Sequence, residues 1–154
     1  MALSVRLATL EEAPLVRRIM RAAFAEYRGV LPVESGAHAE TDEDVLAAMR
    51  AGGAVLALVD GEPVGSARFT LEERLLYVGR VAVLPDFRRR GLASAMMRFL
   101  EDIARHHGRA AIRIAVRESL PGNVGLYESL GYEPISIDPH PRGQDRVWTM
   151  IKRV

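Results

Sequence analysis

Cysteine is absent from the 154 residues, and lysine occurs once, as Lys152. The first absence excludes a thiol nucleophile, a disulfide framework and thiolate metal sites. The second argues against Schiff-base chemistry, which would rest on a single residue. No run of eighteen apolar residues occurs and the first residues show no signal-peptide pattern, so a cytoplasmic protein is expected. Charge of one sign is also lacking. The net value is +1, so neither nucleic acid nor a membrane surface is an expected partner, and any basic site must be local. What is present is the composition of a globular chain, 49% apolar and 27% charged. Its length predicts one domain over residues 1–154.

Hydrophobic periodicity predicts the order β-α-α-β-β-β-α-β-α-β-β. Strands are expected near 4–8, 54–59, 64–71, 74–84, 111–116, 132–137 and 146–151. Thr9 suits a helix N-cap, with Glu11 and Glu12 in the first turn and Leu15, Ile19, Ala22 and Ala23 as the inner stripe. A loop follows over 30–37. A second helix starts at Thr41 and stops at Gly52-Gly53, with Val45, Leu46 and Met49 inward. Asp60-Gly61 is a hairpin signal. Hairpins followed by a strand-helix-strand crossover give an α/β (α+β) fold: a mixed sheet of about seven strands with helices on both faces.

One stretch carries chemistry. Tyr77 to Leu84 reads as a strand, Pro85-Asp86-Phe87 breaks it, and Arg88-Arg89-Arg90-Gly91-Leu92-Ala93-Ser94 opens a helix with Met96, Phe99, Leu100 and Ile103 at helical spacing. The first turn of a helix offers N–H groups without intrahelical partners, aligned with a dipole that favours anions. Gly91 and Ala93 would let a phosphate approach the backbone, and the arginines add forked donors. The plainer alternative is a solvated helix start with surface ion pairs. Neither G-x-x-x-x-G-K-[ST] nor G-x-G-x-x-G is present.

What is present, R-x-x-G-x-A from Arg88 to Ala93, resembles the diphosphate signature of the GNAT superfamily of acyl-CoA-dependent N-acetyltransferases. A second stretch, Pro121 to Tyr132, ends in Leu-Tyr-x-x-Leu-Gly-Tyr and resembles the Y-x-x-x-G-(F/Y) element of that superfamily. The resemblance covers essentially the whole chain and implies a mostly antiparallel sheet and acetyl transfer from acetyl-CoA to a primary amine, of a small molecule or a protein. It implies Tyr127 beside the CoA sulfur as general acid. It implies CoA held by Val81, Ala82 and Val83, which pair with the pantetheine amides like an added strand, and by Arg88, Arg89, Arg90, Gly91, Leu92, Ala93 and Ser94, with a backbone N–H near Val81 as oxyanion donor. Asn123 stands four residues before Tyr127, where many members place an Asn seven before. It contacts the pantetheine arm or caps the short helix, and the sequence leaves both open.

The general base departs from the family pattern: Gly79 stands where many members carry a strand carboxylate. Glu26, Glu72, Glu73, Tyr77, His38 or an ordered water chain remain. Asp138 and His140 lack a third ligand at suitable spacing, so no metal is expected. By resemblance the acceptor pocket lies between the loops 26–38 and 138–145, whose acids, His and Tyr suit a small cationic amine or a protein N-terminus. A homodimer is left open, and a non-catalytic CoA-binding module on the same fold is the competing reading. A nucleic-acid site on Arg88–Arg90 is disfavoured by the near-zero net charge.

Overall fold

The computed structural model describes residues 2–120 and 122–154; Pro121, at the start of the second motif, lies outside them. The chain runs β1 (Leu3–Leu7), α1 (Ala13–Phe24), α2 (Asp42–Ala51), β2 (Gly53–Val59), β3 (Glu62–Leu71), β4 (Leu75–Val83), α3 (Leu92–His106), β5 (Ala111–Arg117), α4 (Asn123–Ser129), β6 (Glu133–Pro139) and β7 (Arg146–Arg153). This is the order that the periodicity predicts.

Local chemistry fixes the element ends. The Thr9 N–H donates to the Glu12 carboxylate at 2.9 Å, and Arg6 holds the same carboxylate, so the chain enters α1 through one turn of 3-10 helix. Thr41 and Asp44 cap α2 reciprocally, side chain to backbone, at 3.2 and 2.9 Å. Asp60 and Gly61 both take positive φ, as a tight hairpin between β2 and β3 requires. The expected loop over 30–37 is partly ordered: Gly36–Ala39 forms a 3-10 turn capped by the Ser35 hydroxyl.

The seven strands lie in the order β1-β2-β3-β4-β5-β7-β6, antiparallel except for β4 and β5. α3 carries the chain from β4 to the parallel β5, and β7 inserts between β5 and β6. Two apolar layers result. One packs α1 and α2 through Val16, Ile19, Met20, Val45 and Met49 against Ala54 and Leu56. The other packs α3 and α4 through Met96, Met97, Leu100 and Tyr127 against Leu76, Val78, Ile112 and Ile114.

Two irregularities position the site. The parallel ladder joins only Leu75–Val78 to Ala111–Ile114. Beyond it, β4 continues against β3 and β5 against β7, so the sheet opens between them. On the opposite edge of β4, Ser66 faces Ala82 and Arg68 faces Gly79, which leaves one extra β4 residue in a bulge at Arg80, φ +52°.

Candidate active site

The cleft begins where β4 and β5 part. Val81 and Val83 present main-chain groups to a gap with no strand across it among the described residues, whereas Ala82, expected to share this role, lines the gap but turns its own peptide groups to Ser66 of β3, because backbone direction alternates along a strand. After the Pro85–Phe87 turn the backbone takes positive φ at Arg89 and again at Gly91, the residue before α3. That conformation is costly for a residue with a Cβ and free for glycine. It aims the first turn of α3 into the gap. The N–H groups of Leu92, Ala93 and Ser94 find no protein acceptor among the described residues; the first bond runs from Ala95 N–H to Gly91 C=O, 3.0 Å. The cleft so formed holds about 460 Å³.

Val81, Ala82, Val83, Arg88, Arg89, Gly91, Leu92, Ala93, Ser94, Asn123 and Tyr127 all line it. Arg90 does not: its guanidinium lies over the Phe87 ring, 5.2 Å from the centroid. Arg88 lines the cleft, but its donors are turned to protein rather than offered to a ligand. Nη2 donates to the Ala23 carbonyl at 2.9 Å, Nε to the Val83 carbonyl at 3.2 Å, and Nη1 to the Glu26 carboxylate. The side chain brackets the end of α1 to the end of β4. Of the two openings for Asn123, capping is excluded. Gly122, at φ +75°, precedes α4 and no side chain caps it; Asn123 is the first helical residue.

Tyr127 is 4% exposed and meets Tyr132 edge-on at 6.0 Å. Burial pushes its phenol well above the ordinary tyrosine range, so it stays protonated. Tyr132 is anchored in turn: its hydroxyl donates to the buried Glu101 carboxylate at 3.1 Å, which also accepts from Lys152 at 3.1 Å.

Sequence reasoning missed Phe24, Phe87 and Leu126, and expected Tyr27 only in the acceptor loop; together the four supply the apolar wall. Tyr27 was within reach of it, since the α1 stripe extended by a turn arrives there. It also missed Glu40. This carboxylate accepts from Arg80 Nε at 2.7 Å, from Arg68 Nη2 at 3.0 Å and from Arg68 Nη1, and it locks the β4 bulge under the start of α2.

The base candidates do not converge on the gap. Glu26 is held by Arg88, and Glu72 by Arg113 at 2.9 Å. Tyr77 lies under the Arg113 guanidinium. His38 is largely buried, and its Nε2 has no hydrogen-bond partner among the described residues. The two loops expected around the acceptor do meet. Arg117 donates to Asp145 at 2.9 Å and to the Val33 carbonyl, and Arg142 donates to the Glu34 carbonyl at 3.1 Å. Asp138, expected in the second loop, belongs to β6 instead. A cavity of about 390 Å³ lies by the first loop, lined by Glu26, Tyr27, Val30, Leu31, Pro32 and Ser119. Tyr27 walls both this cavity and the cleft.

The model of the Acetyltransferase (GNAT) family matches residues 16–132. This chain belongs to the GNAT family. An acetyltransferase of Pectobacterium atrosepticum is 36% identical over 81 residues, 53% of this chain and 57% of that protein. The bS18-alanine N-acetyltransferase of Escherichia coli K12 is 37% identical over 67 residues, 44% of each chain. The match thus spans about half the length of these curated relatives. Among solved structures, the Escherichia coli ribosomal-protein-S18-alanine N-acetyltransferase superposes with a TM-score of 0.79 at 20% identity, over 99% of this chain and 94% of that one. The PaiA N-acetyltransferase of Thermoplasma acidophilum, solved with coenzyme A, gives 0.81 at 14% identity over 100% of both. At these identities the superpositions establish the GNAT fold.

Proposed function

We propose that this protein is an acetyl-CoA-dependent N-acetyltransferase acting on a primary amine by direct attack in a ternary complex. One observation carries the reading. Main-chain groups of Val81 and Val83 and the free amides that open α3 face a single gap, and a buried, protonated tyrosine closes it. A pantetheine arm laid along β4 gains strand-like hydrogen bonds, and its diphosphate meets the dipole and donors of α3. The amine nitrogen attacks the thioester carbonyl, with the oxyanion stabilised by a backbone N–H near Val81. The C–N bond forms, the C–S bond breaks, and the amine proton leaves to solvent. Tyr127 donates its proton to the departing sulfur and regains one from water.

The acceptor must arrive neutral. For a lysine side chain this costs about 4–5 kcal/mol near pH 7, and for a chain N-terminus about 1 kcal/mol. The carboxylates of Glu26 and Glu40 are already engaged by arginines. An acceptor of low pKa therefore suits this site better, and the alanine acceptor named for the Escherichia coli relative accords with that. An acyl-CoA cosubstrate accords with a cytoplasmic setting.

Tyr127→Phe is expected to lower kcat about 10²-fold with the acetyl-CoA affinity little changed, as for loss of a proton donor. Release of free thiol from acetyl-CoA against a panel of amines and peptides measures it. Gly79, standing where relatives carry a carboxylate, favours a second reading, a CoA-binding module without turnover. Acetyl-CoA binding with no thiol release on any acceptor would establish that one instead.

A further inference from the structure

We infer that the acceptor is the N-terminus of a peptide or protein whose following residues are acidic, read by a groove on the outer face of α1. The inference rests on the acetylation proposed above. The groove holds about 530 Å³, with Arg17, Arg18, Arg21 and Arg28 on one wall and His38 and Asp42 on the other. The four arginines recur at helical spacing, so they form one stripe along α1 and the turn after it.

Their partners separate them. Arg17 is committed, donating to the Glu40 carbonyl at 2.8 Å and reaching Asp42 at 3.4 Å. Arg18, Arg21 and Arg28 are exposed, and their guanidinium groups have no ion pair or hydrogen bond within the described residues. Among the described residues no nearby acid pairs with their guanidinium groups. Asp42 faces Arg17, Glu26 is bound by Arg88, and Glu34 accepts from Gly29 N–H with its other oxygen 3.7 Å from His38 Nε2. Arg18 and Arg21, one turn apart, repel each other. In a chain of net charge +1, three unanswered guanidinium groups converge on one concave surface. The buried His38 Nε2, without a hydrogen-bond partner among the described residues, lies beside it. An anionic ligand would relieve the repulsion and occupy the forks.

Length and direction specify a chain rather than a small anion. From Arg17 to the end of α1 at Phe24 the helix rises about 10 Å, and the 3-10 turn Ala25–Tyr27 that leads to Arg28 adds about 6 Å, roughly 16 Å together. Four or five extended residues span that, at about 3.3–3.6 Å each. The Arg28 end runs into the loop that borders the cavity at Tyr27, where the amine would meet the thioester. A peptide lying in the groove would thus place its N-terminus at the reaction site and its next residues against the arginines.

The test uses the full chain, acetyl-CoA and two peptides, alanine followed by four glutamates and alanine followed by four lysines. The wild type is compared with the double variant R18E/R21E. KM for the acidic peptide is expected to be lower by about tenfold at low salt, with the gap narrowing as salt rises. R18E/R21E should erase or invert the preference, while the thermal shift given by acetyl-CoA stays that of the wild type. Equal KM values, or a preference that survives R18E/R21E, would overturn the inference. A second measurement is independent of turnover: fluorescence anisotropy of the acidic peptide on the CoA-loaded protein. If neither peptide is acetylated yet the acidic one binds and R18E/R21E weakens it, the groove stands and the acetylation reading fails. No binding, or stronger binding of a single-stranded RNA of equal charge, overturns the groove.

Discussion

Glu40 joins three segments of chain through one carboxylate. Arg68 comes from β3 and Arg80 from the β4 bulge, while Glu40 itself precedes α2. Burial pulls its carboxyl upward, but hydrogen bonds from Arg68 and Arg80 outweigh this and hold it below the usual glutamate range. The sign follows. A carboxyl with a lowered folded-state pKa contributes stability that is present above its unfolded value, about 4.3, and is lost as pH falls through the folded value. Glu40→Gln keeps the shape and removes the charge, leaving two guanidinium groups uncompensated. Breaking a fully buried pair costs about 3–5 kcal/mol; with Arg80 one-third exposed, about 2–4 is expected here. Urea unfolding at pH 7 measures the gap, and it should narrow toward pH 3. None of this was legible in the sequence. The partners stand 28 and 40 residues from Glu40, and nothing in the local pattern sets Glu40 apart from the other glutamates. The same separation hid the role of Arg88, whose partner Glu26 is 62 residues away. The basic cluster could be read as a site, but not which arginine had already been taken.

At the scale of elements the sequence was far more informative, because a helix or strand announces itself within a dozen residues. Period and capping placed the four α-helices and seven strands in order, but not the 3-10 turn at Gly36–Ala39. The turn from β4 into α3 was legible through Gly91, which breaks the helical pattern where its backbone must take φ +79°. The bulge at Arg80 was not, since it employs no special residue and is imposed by Glu40 from outside the sheet. Gly91 and Gly125 make a paired test. A Cβ at either would meet nothing within 4 Å, so any difference is one of backbone. Gly125 lies inside α4, and Gly125→Ala should stabilise by about 0.5–1 kcal/mol. Gly91→Val forces a branched residue into the left-handed region at a cost of about 1–2 kcal/mol, and its side chain would stand where a diphosphate approaches the α3 amides. Gly91→Val is thus expected to lower Tm modestly and weaken acetyl-CoA binding strongly, while Gly125→Ala raises Tm. Thermal melts with and without acetyl-CoA separate the two effects.

The whole molecule is two half-sheets joined along a short seam. β1–β4 form an antiparallel unit backed by α1 and α2, and β5, β7 and β6 form another. Among the described residues their only ladder is the stretch Leu75–Val78 with Ala111–Ile114, backed by α3. A ligand lying between β4 and β5 would extend that seam on its open side, touching β4, α3 and α4 at once. Such a ligand binds the folded chain and not the unfolded one. At a concentration 100 times its Kd, acetyl-CoA should therefore add about 2.7 kcal/mol. For a chain of this size each kcal/mol moves Tm by about 2–4 °C, so the expected rise is about 5–10 °C. It should climb logarithmically with concentration rather than saturate. Hydrogen exchange adds a spatial check. The amides of Val81 and Val83, and those of Leu92 to Ser94, should gain protection on binding, whereas β1 and β6 at the outer edges should not. A melting temperature that stays flat as acetyl-CoA is raised would mean that the gap does not hold the thioester. Protection confined to the sheet edges would mean that it binds elsewhere. Either result would remove the common footing of the strand gap, the α3 amides and Tyr127, because all three derive their function from one molecule bridging the seam.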